Sequence, residues 1–262
     1  MPYFLTSDNV RLHYDDEGSG PCMVFIHGYT GSAQDWAGLR KSLSAQYRCI
    51  AIDRRWHGQS ECPAYGLSIA RQAVDVHELI LTLAISNVCL VGHSMGAGVL
   101  WSYLDLFGSR RVSRAVSIDQ SPRLINDAGW PLGMFGLTPE AAIDFSLASV
   151  AHLFEVRIAQ IDDPLLAPLP PGAALPAGFA EGTATMLRDF VYTDAVPSLQ
   201  KIEVPYLAVH GKHSQFYPND SGRWICDHVQ RGHWALYEHC DHLVPSREPE
   251  RLAYELATFL QV

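Results

Sequence analysis

The sequence predicts an α/β fold: a mostly parallel sheet covered by helices and interrupted by one insertion. Short apolar runs alternate with stretches of helical periodicity from residue 22 to about residue 120, and again from residue 206 to the end. Regular alternation of this kind implies parallel strands, because each helix carries the chain back to the edge where the last strand began. The rhythm fails between about 121 and 200, where strand signals are weak and a proline-rich piece, PLLAPLPPGAALPAG, occurs. A chain of 262 residues, 48% hydrophobic, can bury one sizeable core.

The elements follow in order. Val10–Tyr14 alternates apolar and polar residues like an edge strand, and Cys22–Ile26 is apolar throughout, as a strand buried on both faces should be. Residues 35–45 have helical periodicity, and Arg48–Ile52 is a second buried strand. Ser68 is placed to cap a helix that runs to about Ile85. Then come the strand Val88–Val91, a helix over Met95–Phe107 and a strand over Val112–Ile118. After the insertion follow a strand at 206–209, a helix at 219–229, the strand Trp234–Tyr237 and a closing helix over 247–260. This divides the chain into a core of residues 1–120 and 201–262 and an inserted cap, or lid, of residues 121–200.

Composition excludes several classes of function. A formal net charge of −9 argues against a nucleic-acid partner, since gripping phosphates requires clustered lysine and arginine. The six cysteines form no CxxC pair and mostly sit beside apolar runs, which points to a reduced, cytoplasmic compartment rather than a disulfide framework. No basic segment followed by an apolar stretch opens the chain, so no signal peptide is expected. No apolar run approaches the ~20 residues of a membrane span, so no membrane partner is expected either. The histidines between 228 and 242 lack ligand-like spacing; neither a metal nor a cofactor is expected.

In a sheet of this type chemistry is sought at the carboxyl ends of the strands. Val88–Val91 runs into Gly92-His93-Ser94-Met95-Gly96, a G-x-S-x-G turn with a strand before it and a helix after it. The glycines suit so tight a turn, and the serine is left strained at a helix N-terminus, where N–H groups favour negative charge. A second strand ends in His27-Gly28-Tyr29-Thr30-Gly31, a turn whose backbone can approach the space above Ser94.

With HGYTG, DRRWHGQS, GHSMG and DHLVPSREPERL spread over nearly its whole length, the sequence resembles the α/β-hydrolase superfamily. The resemblance implies an eight-stranded sheet and a serine nucleophile, Ser94. It assigns the oxyanion-binding N–H groups to Tyr29 and Met95, and the general base to His242, seven residues before Pro249. His239, nearer the strand, competes for that role; His27, His57 and His93 belong to turn motifs and read as structural, and His210 and His213 lie near the site. Counted from His210, the acid that orients the histidine in most relatives falls at Ser214, which has no charge to offer. Some members carry this acid after the sixth strand instead, where RAVSIDQSP places Asp119. A broken triad is one reading; a triad Ser94–His242–Asp119 with a relocated acid is the favoured one. Asp220, read as a helix cap, and Asp241, too close in sequence to His242 to face its ring, are weaker candidates.

These residues imply a serine hydrolase that cleaves a small apolar carboxylic ester or lactone through an acyl-enzyme. Trp56, Trp130, Met134, Phe135 and Phe145 suggest an apolar substrate pocket, though each reads equally well as packing. A cofactor-free dioxygenase that uses only a His/Asp pair, a C–C bond hydrolase and a ligand receptor without turnover share much of the same signature. The expected partner is a small-molecule substrate.

Overall fold

The computed structural model describes residues 2–163 and 174–261. Its sheet has eight strands: β1 (Tyr3–Leu5), β2 (Arg11–Glu17), β3 (Cys22–Ile26), β4 (Arg48–Ile52), β5 (Val88–His93), β6 (Val112–Ile118), β7 (Tyr206–Gly211) and β8 (Gly232–Tyr237). They lie in the order β1-β2-β4-β3-β5-β6-β7-β8. β1 pairs antiparallel with β2, and β2 with β4; from β4 to β8 every pair is parallel. The expectation for Val10–Tyr14 needs correction: Arg11–Tyr14 begin β2, one strand in from the edge. The edge is β1, whose three residues are too few to display a periodicity.

The helices cover both faces. Met23 and Phe25 of β3 join one buried cluster with Leu39 and Leu43 of α1 (Ala37–Leu43) and Leu252 and Leu256 of the closing helix over 249–261. Val24 and Ile26 join the other, with Val76 and Leu79 of α2 (Ile69–Thr82) and Val99 and Leu100 of α3 (Met95–Phe107). Successive β3 side chains thus point to opposite layers, and both layers are apolar. Ser68 caps α2 by accepting the Arg71 N–H at 3.1 Å. The helix ends at Thr82, short of Ile85, which packs into the core from the turn beyond.

Between β6 and β7 the chain forms α4 (Pro139–Ile143), α5 (Leu147–Ile158), α6 (Phe179–Gly182), α7 (Ala184–Tyr192) and α8 (Val196–Leu199). Of the proline-rich run, residues 164–173 lie outside the described residues. After β7 come α9 (Asp220–His228), β8, α10 (Val244–Arg247) and the closing helix α11 (Pro249–Gln261). The insertion is fastened to the turn after β3: Tyr29 Oη and Thr183 Oγ1 share a hydrogen bond of 2.7 Å, and the Phe179 ring packs on Tyr29 and His57. No helix among the described residues is long and apolar enough to cross a membrane.

Candidate active site

Ser94 stands between β5 and α3 with φ of 52° and ψ of −126°, in the left-handed half of backbone space that a β-carbon disfavours. It is held there from both sides: its N–H donates to Ile118 O at 2.9 Å and its carbonyl accepts from Ala97 N–H at 2.8 Å. The flanking glycines are obligatory. A β-carbon on Gly96 would lie 2.1 Å from Ile26 O, and one on Gly92 would lie 2.4 Å from Gly96 O.

The turn after β3 presses against this elbow; a β-carbon on Gly28 would sit 3.0 Å from Ser94 Cβ. The imidazole of His27 braces the turn, donating from Nδ1 to Gly28 O at 2.7 Å and accepting the Arg54 N–H at Nε2. Burial keeps His27 neutral, with its pKa well below the usual range. The buried Arg54 guanidinium donates to Gly28 O at 2.7 Å and to Met95 Sδ at 3.2 Å, so one cation ties the turn to the start of α3. The backbone N–H groups of Tyr29 and Met95 bond to no protein acceptor among the described residues.

Asp119 follows β6 directly, with φ of 46°, and is wholly buried. Its Oδ1 lies 3.1 Å from His242 Nδ1 and accepts the Ser214 hydroxyl at 2.6 Å; its Oδ2 accepts the Gly211 N–H at 3.0 Å. Burial pushes its pKa up, but the hydrogen bond and charge of His242, the neighbouring His210 and the Ser214 hydroxyl outweigh this and hold it below the usual carboxylate range. An imidazole nitrogen that faces a carboxylate carries the proton, so Nε2 of His242 is left as the basic nitrogen. Among the described residues Ser94 Oγ makes no hydrogen bond; such contacts often tighten only when substrate binds.

His242 lies in the loop between β8 and α10. Its N–H donates to Gln215 Oε1 at 3.0 Å and its carbonyl accepts from His93 Nε2 at 2.8 Å. The ring stands edge-on to Phe216, with centroids 4.6 Å apart.

The other candidates are engaged elsewhere. His239 and His213 both bond to Asp163, and His57 donates to Arg55 O. His210 is buried beside Ser221. Asp241 is ion-paired with Arg247 at 2.7 Å and accepts the Leu243 N–H. Asp220 is exposed in the first turn of α9; contrary to expectation the cap position is Asn219, one residue earlier.

Trp56 takes φ of 66°, donates its indole N–H to Pro63 O and packs against Gly182 of α6. Trp130 is buried edge-on against Trp224 of α9, and Met134 and Phe145 pack with the main core. Phe135 lines a cavity of ≈ 480 Å³ together with Arg157, Ser214 and Tyr217. Sequence reasoning missed Arg54, Ser214 and Gln215 as partners of the site. Two of these stand in the loop where the usual acid was sought, and their polar side chains were the available signal.

Residues 21–249 match the family described as the alpha/beta hydrolase fold. The chain is 30% identical to a non-heme chloroperoxidase from Kitasatospora aureofaciens, with 99% of each chain covered. It is 29% identical to a bifunctional esterase/perhydrolase from Acinetobacter calcoaceticus, with 100% of each covered. A bromoperoxidase from Bacillus anthracis superposes with a TM-score of 0.84 at 25% identity, again over 100% of both chains. With this sheet order and this elbow, the chain belongs to the α/β-hydrolase family and is an enzyme of that class.

Proposed function

We propose that the protein is a serine hydrolase of small apolar carboxylic esters or lactones, with Ser94 as nucleophile, His242 as general base and Asp119 as the acid that orients it. The observation that carries this reading is the buried contact between Asp119 and His242 Nδ1, which leaves Nε2 free to take a proton. In the first step Nε2 accepts the Ser94 proton while Oγ attacks the carbonyl carbon. The resulting oxyanion is held by the N–H groups of Tyr29 and Met95; each such donor is worth roughly a hundred- to a thousand-fold in rate. His242 then protonates the leaving oxygen, and water, activated by the same imidazole, releases the acyl group. Residues 121–200 act as the cap over a core of residues 1–120 and 201–262, with Trp56 and Phe135 at their junction.

The strained elbow and the unengaged N–H pair favour acyl transfer over O₂-dependent ring cleavage, which would need only His242 and Asp119. The similarity to a chloroperoxidase and to an esterase/perhydrolase favours a second use of the same intermediate. Hydrogen peroxide in place of water would release a peracid and return Ser94 to its hydroxyl form.

The test is turnover of p-nitrophenyl butyrate by wild type and Ser94→Ala, with labelling by a fluorophosphonate. Wild type should turn over and carry one label on Ser94, and the variant should lose activity by on the order of 10⁴-fold or more and remain unlabelled. Full activity in Ser94→Ala would refute the proposal.

A further inference from the structure

The loop after β7 lacks a carboxylate, yet four successive residues in it grip the Asp119–His242 pair. Ser214 Oγ accepts the N–H groups of Phe216 at 3.3 Å and Tyr217 at 3.2 Å. With those acceptor directions occupied, its single proton has one recipient, Asp119 Oδ1 at 2.6 Å. Gln215 accepts the His242 N–H and reaches Asp241 through its amide nitrogen at 3.3 Å, joining this loop to the one that carries the histidine. The rings of Phe216 and Tyr217 flank the imidazole, with centroids 4.6 and 5.9 Å away.

We infer that Ser214 is a positioning residue for the acid–base pair: its hydroxyl fixes the rotation of the Asp119 carboxylate and draws charge from the oxygen that faces His242. Gln215 supports it by holding the backbone of His242. This inference deepens the triad reading and rests on it. Asp119 Oδ1 divides its charge between two donors, the hydroxyl and the imidazole. Removing the hydroxyl leaves Oδ1 more basic, strengthens its hold on protonated His242 and frees the carboxylate to rotate.

The other titratable groups facing the pair come from three directions. Burial holds His93, the last residue of β5, down to about 3, and holds His210, on β7, below its usual range. Burial also raises Tyr217, and Asp241, before His242, is ion-paired with Arg247. The acid limb of the kcat/KM profile therefore reports His242 under the proposed mechanism.

The experiment measures p-nitrophenyl butyrate kinetics from pH 5 to 9 for wild type, Ser214→Ala, Ser214→Thr and Asp119→Asn, with melting temperatures alongside. Ser214→Ala should lower kcat roughly tenfold or more through misorientation of the pair. It should also move the acid limb upward by about half a pH unit. Ser214→Thr, which keeps the hydroxyl, should return both towards wild type. An unmoved limb with kcat within twofold of wild type in Ser214→Ala would overturn the inference. So would a loss of kcat and melting temperature with an unmoved limb, the pattern of a merely structural residue. If Ser214→Ala does not fold, Ser214→Cys, a weak donor of similar size, is read by the same criteria. A near-normal Asp119→Asn would instead refute the triad itself.

Discussion

Replacing Asp119 with asparagine is nearly isosteric and isolates the role of its charge. The carboxylate faces three donors: His242 Nδ1–H, the Ser214 hydroxyl and the Gly211 N–H. An amide can satisfy only one side. If its oxygen takes the place of Oδ1, its NH₂ group points at the Gly211 N–H, and a buried donor–donor conflict costs about 1–3 kcal/mol. If the amide flips, NH₂ faces Nδ1, so the imidazole must carry its proton on Nε2 and can no longer accept one from Ser94. In both orientations the negative charge that stabilises the imidazolium is gone. The analogous change in a well-studied serine protease lowers kcat by about 10⁴, or about 5.4 kcal/mol at 1.36 kcal/mol per decade. We expect a loss of that order in kcat for p-nitrophenyl butyrate, with KM little changed because Asp119 has no exposed surface. A fall of less than tenfold in a folded Asp119→Asn would refute the reasoning. The same carboxylate links stability to pH. Because its folded pKa is depressed, its contribution is present above the unfolded value of about 3.9 and is lost as pH falls through the folded one. Acid titration of the variant should lack that component.

Two further outcomes follow from the geometry. Tyr29→Phe removes the hydrogen bond to Thr183 but keeps the ring on Phe179 and the backbone N–H proposed to bind the oxyanion. It should cost about 1 kcal/mol, read as a melting temperature lower by about 2–4 °C, while kcat stays within about threefold. A large loss of kcat would show that the phenol itself acts in the reaction. Burial, with the nearby Asp53 charge, pushes Asp35 up to about 6, against the hydrogen bond it accepts from Ser32 N–H. Its folded pKa is raised, so the stability it contributes is complete below about pH 4 and is lost as pH rises through about 6. The whole shift corresponds to about 3 kcal/mol, which partial exposure to solvent reduces to about 1. Asp35→Asn should therefore stabilise the protein by about that amount at pH 8 and flatten the profile between pH 4 and 6. Equal melting temperatures for the two proteins at pH 8 would contradict this account.

Much of the architecture was legible in the chain itself. Cys22–Ile26, Arg48–Ile52 and Val112–Ile118 are strands with the bounds predicted for them, because strands covered by helices on both faces are mostly apolar. Their polar residues fall chiefly near the strand starts, where Arg48, Ser113 and Arg114 are only partly buried. Met95–Phe107 is a helix with its predicted bounds as well, and the backbone crowding around Gly92 and Gly96 explains why the elbow motif could be recognised. Where the signal was short or depended on partners distant in sequence, it failed. β1 has three residues, and its place at the edge is set by pairing with β2. The polar loop 212–217 showed only that a carboxylate was missing there. That its serine hydroxyl meets Asp119, 95 residues earlier, and that its glutamine holds His242, 27 residues later, are relations between strand ends. Local periodicity determines which segments become strands and helices. The packing of β6, β7 and β8 side by side decides which polar groups share a buried site, and no local pattern encodes that neighbourhood.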